Sequence, residues 1–97
     1  MVELRTFSVA GGGWVVAARG DLDADGARQV GDAVKSCDGP VIVDLLRAHF
    51  VDLDVLDALV ERVDARFVAE RPLRDALDLI GLRRHVDVSP TLAAALG

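Results

Sequence analysis

Strand-length apolar runs alternate with helix-spaced apolar residues along almost the whole chain, and this alternation limits the folds open to it. The runs Trp14 to Arg19 and Val41 to Leu45 have the length and β-branched content of buried strands. Between them, apolar residues from Ala27 to Val34 recur at spacings of three and four, as on one face of a helix. The pattern predicts an α/β fold with a mainly parallel sheet, in which Val41 to Leu45 is the central strand.

The amino-terminal part predicts an antiparallel start to this sheet. Met1 to Phe7 alternates polar and apolar residues, and Ala10 to Gly13 is a glycine-rich turn before the next strand. Two strands joined so briefly should form a hairpin. Residues Gly20 to Asp23 are then expected to end the second strand before the first helix.

The second half of the chain continues the alternation. A second helix is expected from Leu53 to Val63, with Asp52 as its N-cap and Asp54 in its first turn, where the helix dipole favours negative charge. Asp54, Asp57, Glu61 and Asp64 form an acidic stripe on that helix. The remaining elements are expected to be short strands at Ala65 to Ala69 and Val86 to Val88, a helix from Pro72 to Ile80 capped by Gly81, and a terminal helix to Leu96 with Ser89 and Pro90 at N-cap and N1.

Composition limits the function classes. The 97 residues suit one domain, residues 1–97, with four to five strands and about four helices, and 52% hydrophobic residues argue against disorder. The net charge of −5 argues against a nucleic-acid partner, and no apolar run is long enough for membrane insertion. The start of the chain lacks the pattern of a secretory signal, so we expect a cytoplasmic protein. Ten arginines against one lysine are typical of a GC-rich bacterial genome.

An acidic run after the second strand imitates a calcium loop. Asp21, Asp23 and Asp25 alternate, Gly26 follows, and Asp32 takes the twelfth position. A calcium loop of this kind follows a helix, however, whereas this run follows a strand. We therefore interpret the run as a strand-to-helix turn with acidic residues near a helix N-terminus, and we expect no metal site.

No constellation of side chains predicts catalysis. His49 and His85 lie far apart in sequence, without a nucleophile or a metal-ligand spacing, and we interpret both as surface or loop-packing residues. Asp52, Asp54 and Asp57 have no companion base and are explained by helix capping and the dipole. We expect neither an enzyme nor a bound cofactor.

Four stretches, in this order and spacing, resemble the STAS domain family of anti-sigma factor antagonists. They are Gly20 to Asp23, which is similar to the family's Gly-Glu/Asp-Leu-Asp turn; Val41 to Leu45, its central strand; Phe50 to Leu59, its Phe-Ile-Asp-Ser-Ser-Gly-Leu-Gly-Ala-Leu signature; and Leu77 through Ile80, Gly81 and Leu82, its third helix. The resemblance covers nearly the whole chain. It implies a STAS-like α/β domain that binds a protein partner, such as an anti-sigma factor kinase, in a partner-switching circuit that regulates transcription.

The phosphorylation chemistry of that signature is absent from this chain. Asp54 stands at the position of the family's phosphorylated serine, Leu53 at the preceding serine, and Val55 and Asp57 at the two glycines. A carboxylate could imitate the phosphorylated state, because it is also negative, although it has less charge and fewer acceptor oxygens than a phosphate. We prefer a second interpretation, in which the domain is not switched and its docking surface has changed partner.

The resemblance and the acidic stripe together predict the partner-binding residues. These are Asp21, Asp23, Asp52, Leu53, Asp54, Val55, Asp57 and Glu61. Two alternatives stay open at this point: the stripe is an ordinary solvated helix face, or the chain is a small cytoplasmic STAS subunit that supports a lipid-transporting ABC complex in a membrane. The sequence leaves the oligomeric state undetermined.

Overall fold

A computed structural model describes residues 2–50, 52–81 and 85–96 of the chain. The elements are β1 (Glu3–Ser8), β2 (Trp14–Leu22), α1 (Ala24–Lys35), β3 (Val41–Phe50), α2 (Leu53–Arg62), β4 (Arg66–Val68), α3 (Leu73–Gly81), β5 (Val88–Ser89) and α4 (Leu92–Leu96). None of the helices in these ranges has the length and apolar character needed to cross a lipid bilayer.

The sheet has five strands in the order β1-β2-β3-β4-β5, which is also their order along the chain. β1 and β2 form an antiparallel hairpin, and β2 through β5 are parallel to their neighbours. β3 is the middle strand. The α/β class, the antiparallel start and the central position of Val41 to Leu45 are therefore confirmed. The hairpin turn contains Gly11, Gly12 and Gly13, all with positive φ, a conformation that glycine adopts without steric cost.

The two faces of the sheet carry cores of very different size. The larger core packs β2, β3 and β4 against α1, α2 and α3 through residues such as Val16, Val43, Leu59, Phe67 and Leu77. A smaller cluster on the other face holds Val15, Ile42, Val68 and Ala95 of α4. The connections from β2 to β5 all move across the sheet in the same direction. Right-handed crossovers in a single direction place their helices on the same face of the sheet.

The second strand is longer than expected and runs through the segment that was predicted to end it. Gly20 and Asp21 pair with Ala48 and His49 of β3, after a register shift between Ala17 and Arg19. Gly20 has a φ of 100°, so a residue without a side chain fits this irregular point of the strand. The predicted turn from Gly20 to Asp23 is wrong: Asp21 lies in a strand, and the chain turns at Asp23.

Several other boundaries also differ from the prediction. β3 runs five residues beyond Leu45, to Phe50, because the pairing with β2 continues. The helix α3 includes Gly81 as its last residue without a positive φ, so Gly81 does not act as the expected left-handed cap. Ser89 belongs to β5, and Thr91 caps α4 instead, since its Oγ1 accepts a hydrogen bond from the Ala94 N–H at 3.1 Å. Leu82, part of the third-helix resemblance, and Val51, within the signature, lie outside the described residues.

Candidate protein-binding site

Three helices begin at one edge of the sheet. Because β2, β3 and β4 are parallel and each is followed by a helix, the starts of α1, α2 and α3 lie beyond the carboxyl ends of these strands. In open α/β sheets this edge is the usual location of binding sites. Asp21, near the end of β2, is the cross-strand partner of His49 on β3, and both are exposed.

The start of α1 uses its acidic residues structurally. Asp23 is the N-cap, and its Oδ1 accepts a hydrogen bond from the Gly26 N–H at 2.7 Å. Asp25 pairs with Arg28 and accepts a hydrogen bond from Gln29. Two of the carboxylates in the calcium-like run are thus occupied within the helix, and Asp21 stands on a separate strand. In the described ranges, no group of three or more His, Cys, Asp or Glu side chains is arranged to hold a metal ion.

The start of α2 presents an apolar side chain and a carboxylate side by side. Asp52 has extended backbone and caps the helix as predicted, and its Oδ1 accepts a hydrogen bond from the Asp54 N–H at 2.6 Å. Leu53, the first residue of the helix, has 49% of its surface exposed. Asp54 is exposed in the first turn, where its charge interacts favourably with the helix dipole.

Two shallow grooves flank this helix start. One, of about 330 Å³, lies toward β3 and α3 and is mostly apolar; it is lined by Ala48, His49, Asp52, Leu53, Leu56, Pro72, Leu73 and Ala76. The other, of about 250 Å³, lies toward α1 and is lined by Ala24, Ala27, Asp54, Val55, Ala58 and Arg62. Leu53 borders the first groove and Asp54 the second, so the two side chains stand on the ridge between them.

The acidic stripe is shorter than expected but lies on the outer side of α2. Leu56, Leu59 and Val60 are buried against the core, whereas Asp54 and Glu61 are exposed and Asp57 is half-buried. Residues at spacings of three, four and seven lie on one side of a helix, so these three carboxylates share a face. Asp64 does not belong to the stripe, because α2 ends at Arg62 and Val63 is already extended.

The outward-facing group formed by exposed Leu53, Asp54, Ala58 and Glu61 and half-buried Asp57 is called the α2 surface below. Of the predicted binding residues, Asp52 borders this surface as the helix cap, and half-buried Val55 lies in the groove toward α1. Asp21 and Asp23 lie at the same edge of the sheet, on neighbouring elements.

The structure adds residues to the site that sequence reasoning did not select. The sequence predicts that His49 is a surface or loop-packing residue; it is exposed but also lines the groove beside Leu53. Pro72, Leu73 and Ala76 form the opposite wall of that groove, although they lie about twenty positions further along the chain. The signal that could have found His49 is its position at the carboxyl end of the central strand. The groove wall depends on tertiary packing and has no local sequence signal.

Comparison with known proteins extends this description. No family model and no curated protein sequence matches the chain. Among solved structures, it is similar to the crystal structure of a STAS domain antisigma-factor antagonist from Rhodobacter sphaeroides, with a TM-score of 0.50 and 17% sequence identity over 78% of this chain and 91% of that one. The chain has a STAS-like fold. At this identity the likeness concerns the fold alone.

Proposed function

We propose that the chain is a non-catalytic protein-binding module of a bacterial regulatory system, which binds its partner through the α2 surface. The observation that carries this proposal is the exposed pair Leu53 and Asp54 on a ridge between two grooves, at the edge where three helices begin. A half-exposed leucine beside an apolar groove favours binding of a protein partner, because covering it removes apolar surface from water. The likeness to an antisigma-factor antagonist supports a regulatory role.

The charge of the α2 surface indicates the chemistry of the partner. Asp54 and Glu61 are exposed and Asp57 is half-buried on the same side of the helix. A basic surface would complement them, and such complementarity raises association rates and specificity more than affinity. The partner is therefore proposed to present arginine or lysine side chains around an apolar contact, as an anti-sigma factor kinase or another regulatory protein could.

Regulation at the family's usual position is proposed to be absent. Asp54 carries a carboxylate where the signature has a hydroxyl, so no phosphoserine can form there. Phosphorylation switches a serine between a neutral side chain and one with a charge of about −1.5 to −2. The carboxylate of Asp54 has one fixed charge and cannot alternate between two such states. The partner is therefore expected to bind regardless of kinase activity, unless a hydroxyl outside α2 has taken over control.

Affinity capture with matched variants tests this function. The wild-type chain, Asp54→Ser and Asp54→Arg/Glu61→Arg are each used as bait in a lysate of the native cell, and the retained proteins are identified by mass spectrometry. Asp32→Arg/Asp78→Arg is the control, since both residues are exposed acids on α1 and α3. We expect wild type and control to retain the same regulatory protein, and the α2 variant to lose it.

The outcomes separate the functional alternatives. Retention of an anti-sigma kinase, lost from the Asp54→Ser bait when ATP is added, supports a partner-switching circuit in which Asp54 has removed the switch. Retention of membrane transport subunits alone would replace the proposal with the structural ABC subunit. Equal retention by the α2 variant and wild type would show that the partner binds elsewhere.

A further inference from the structure

One face of the sheet is only partly covered. Helices α1, α2 and α3 all pack on the other face. The five residues of α4 cover Val15, Ile42 and Val68 around one end of the strands. Beyond α4, the surface of β1, β2 and β3 is open, and a shallow cleft of about 480 Å³ lies there.

This open region is called the arginine face. It is lined by Glu3, Arg5, Ala17, Ala18, Arg19, Asp44, Leu46, Arg47 and Leu92. The strand register places Arg5 beside Ala17 and Ala17 beside Asp44 in one row, and Glu3, Arg19 and Arg47 in a second row. Three guanidinium groups and two carboxylates therefore surround an apolar floor on neighbouring strands.

The arginine face holds three positive and two negative side chains. Arg19 and Arg47 are cross-strand neighbours, and like charges in this relationship destabilise a sheet. Glu3 is adjacent to Arg19, yet neither Arg5, Arg19 nor Arg47 forms an ion pair within the part of the chain that the structure describes. The local excess of positive charge, on a chain with a net charge of −5, fits an acidic ligand surface.

We propose that the arginine face binds the α2 surface of a second copy of this chain. That surface offers the inverse pattern: the exposed carboxylates of Asp54 and Glu61 can face the arginines, and the exposed Leu53 can contact the floor of Leu46 and Leu92. Arg62, at the end of α2, can face Glu3 and Asp44 in the same way. A single molecule thus has two separate surfaces with opposite charges, and each also has apolar residues that the other can contact.

The two surfaces lie on opposite sides of the sheet, so the contact is head to tail. In a head-to-tail row of chains, the first chain keeps one surface free and the last chain keeps the other. Further chains can therefore add, unless the rotation between neighbouring chains closes the row into a ring. The proposal rests on the α2 surface that also carries the proposed function. A regulatory partner bound to α2 would therefore compete with self-association.

Sedimentation velocity with two complementary variants tests the proposal. Arg19→Gln/Arg47→Gln neutralises two of the three arginines of the arginine face and leaves α2 intact. Asp54→Asn/Glu61→Gln neutralises the exposed acids of α2 and leaves the arginine face intact. We expect the wild type at about 50 mM salt to show an average mass that rises with concentration, and to become monomeric at about 500 mM, where charges beyond about 4 Å are screened. Each variant alone should be monomeric. An equimolar mixture should form a species of two chains that grows no further, because only one native contact remains.

Controls separate this proposal from the proposed function. Arg28→Gln/Arg71→Gln changes two exposed arginines elsewhere and should associate like the wild type. Circular dichroism and urea unfolding establish that each variant is folded. A wild type that stays monomeric up to millimolar concentration, or one whose association is unchanged by Arg19→Gln/Arg47→Gln, would overturn the proposal. Partner capture from lysate should survive Arg19→Gln/Arg47→Gln, so a failure here leaves the regulatory function standing.

Discussion

Asp52 holds the backbone of Asp54 in place: its Oδ1 accepts a hydrogen bond from the Asp54 N–H at 2.6 Å. The residue that caps α2 is thus bonded to the backbone of an exposed residue of the proposed binding surface. The backbone at position 54 is consequently fixed by its neighbour, whatever side chain it carries. This separates the structural role of Asp52 from the surface role of Asp54, and the two can be tested independently.

Replacing the cap should weaken the fold measurably. Asp52→Ala leaves the Asp54 N–H without its acceptor, and we expect the free energy of unfolding to fall by about 1 kcal/mol, within a range of roughly 0.5–2 kcal/mol. Asp52→Asn keeps an acceptor oxygen and should stay close to the wild type. Urea unfolding followed by circular dichroism measures both. An alanine variant as stable as wild type would show that the cap contributes nothing.

Leu53 should matter for binding and little for stability. It is 49% exposed at the start of α2, and Leu79 on α3 is a matched control with 60% exposure. We expect Leu53→Ser and Leu79→Ser each to change the unfolding free energy by at most about 0.5 kcal/mol, as surface substitutions usually do. Partner capture should be lost only in Leu53→Ser. Loss of partner capture in both variants would indicate that replacing any exposed leucine with serine disrupts capture, and that Leu53 has no specific role.

Two glycines in α1 should respond oppositely to alanine. A Cβ at Gly26 would lie 3.1 Å from Leu22 Cδ1 and from Val2 Cγ1, and Leu22 is fully buried. Crowding should outweigh the gain in helix propensity, so Gly26→Ala should lose about 0.5–2 kcal/mol of stability. At Gly31 a Cβ meets nothing within 4 Å. Gly31→Ala should therefore gain about 0.5–1 kcal/mol, and a gain in both variants would contradict the packing argument.

Calcium should have no effect on the protein. Asp23 is engaged as a helix cap and Asp25 pairs with Arg28, so the calcium-like run does not form a loop of converging carboxylates. Isothermal titration with calcium chloride should give no binding heat, and the melting temperature should not shift at millimolar calcium. Magnesium serves as the control for ionic strength and divalent charge. A rise in melting temperature with calcium alone would contradict this interpretation.

The order of strands and helices could be predicted because it depends on the spacing of apolar residues along the chain. The run Val41 to Leu45 has β-branched residues on both faces, and it proved to be the middle strand with core on either side. Asp52 and Asp54 were assigned correctly as cap and first-turn residue, because capping is a local interaction.

Two of the errors arose where pairing between strands overrides local signals. Gly20 and Asp21 are residues that favour turns, yet they stay in β2 because His49 and its neighbours on β3 continue the ladder. Ser89 and Pro90 look like a helix start, but Ser89 pairs with Val68 and the helix begins later. The arginine face was not predicted at all, because Arg5, Arg19 and Arg47 come together only through the register of three strands.

The sequential order of the five strands has a consequence for how the domain folds. Each new strand adds beside the one made just before it, from the hairpin to β5, so no strand must insert between two that are already paired. Loop closure stays short at every step, which favours folding rates in the upper part of the range for mixed α/β domains. Synthesis from the amino terminus could then lay down the sheet in register as the chain emerges, with α4 the last helix to dock.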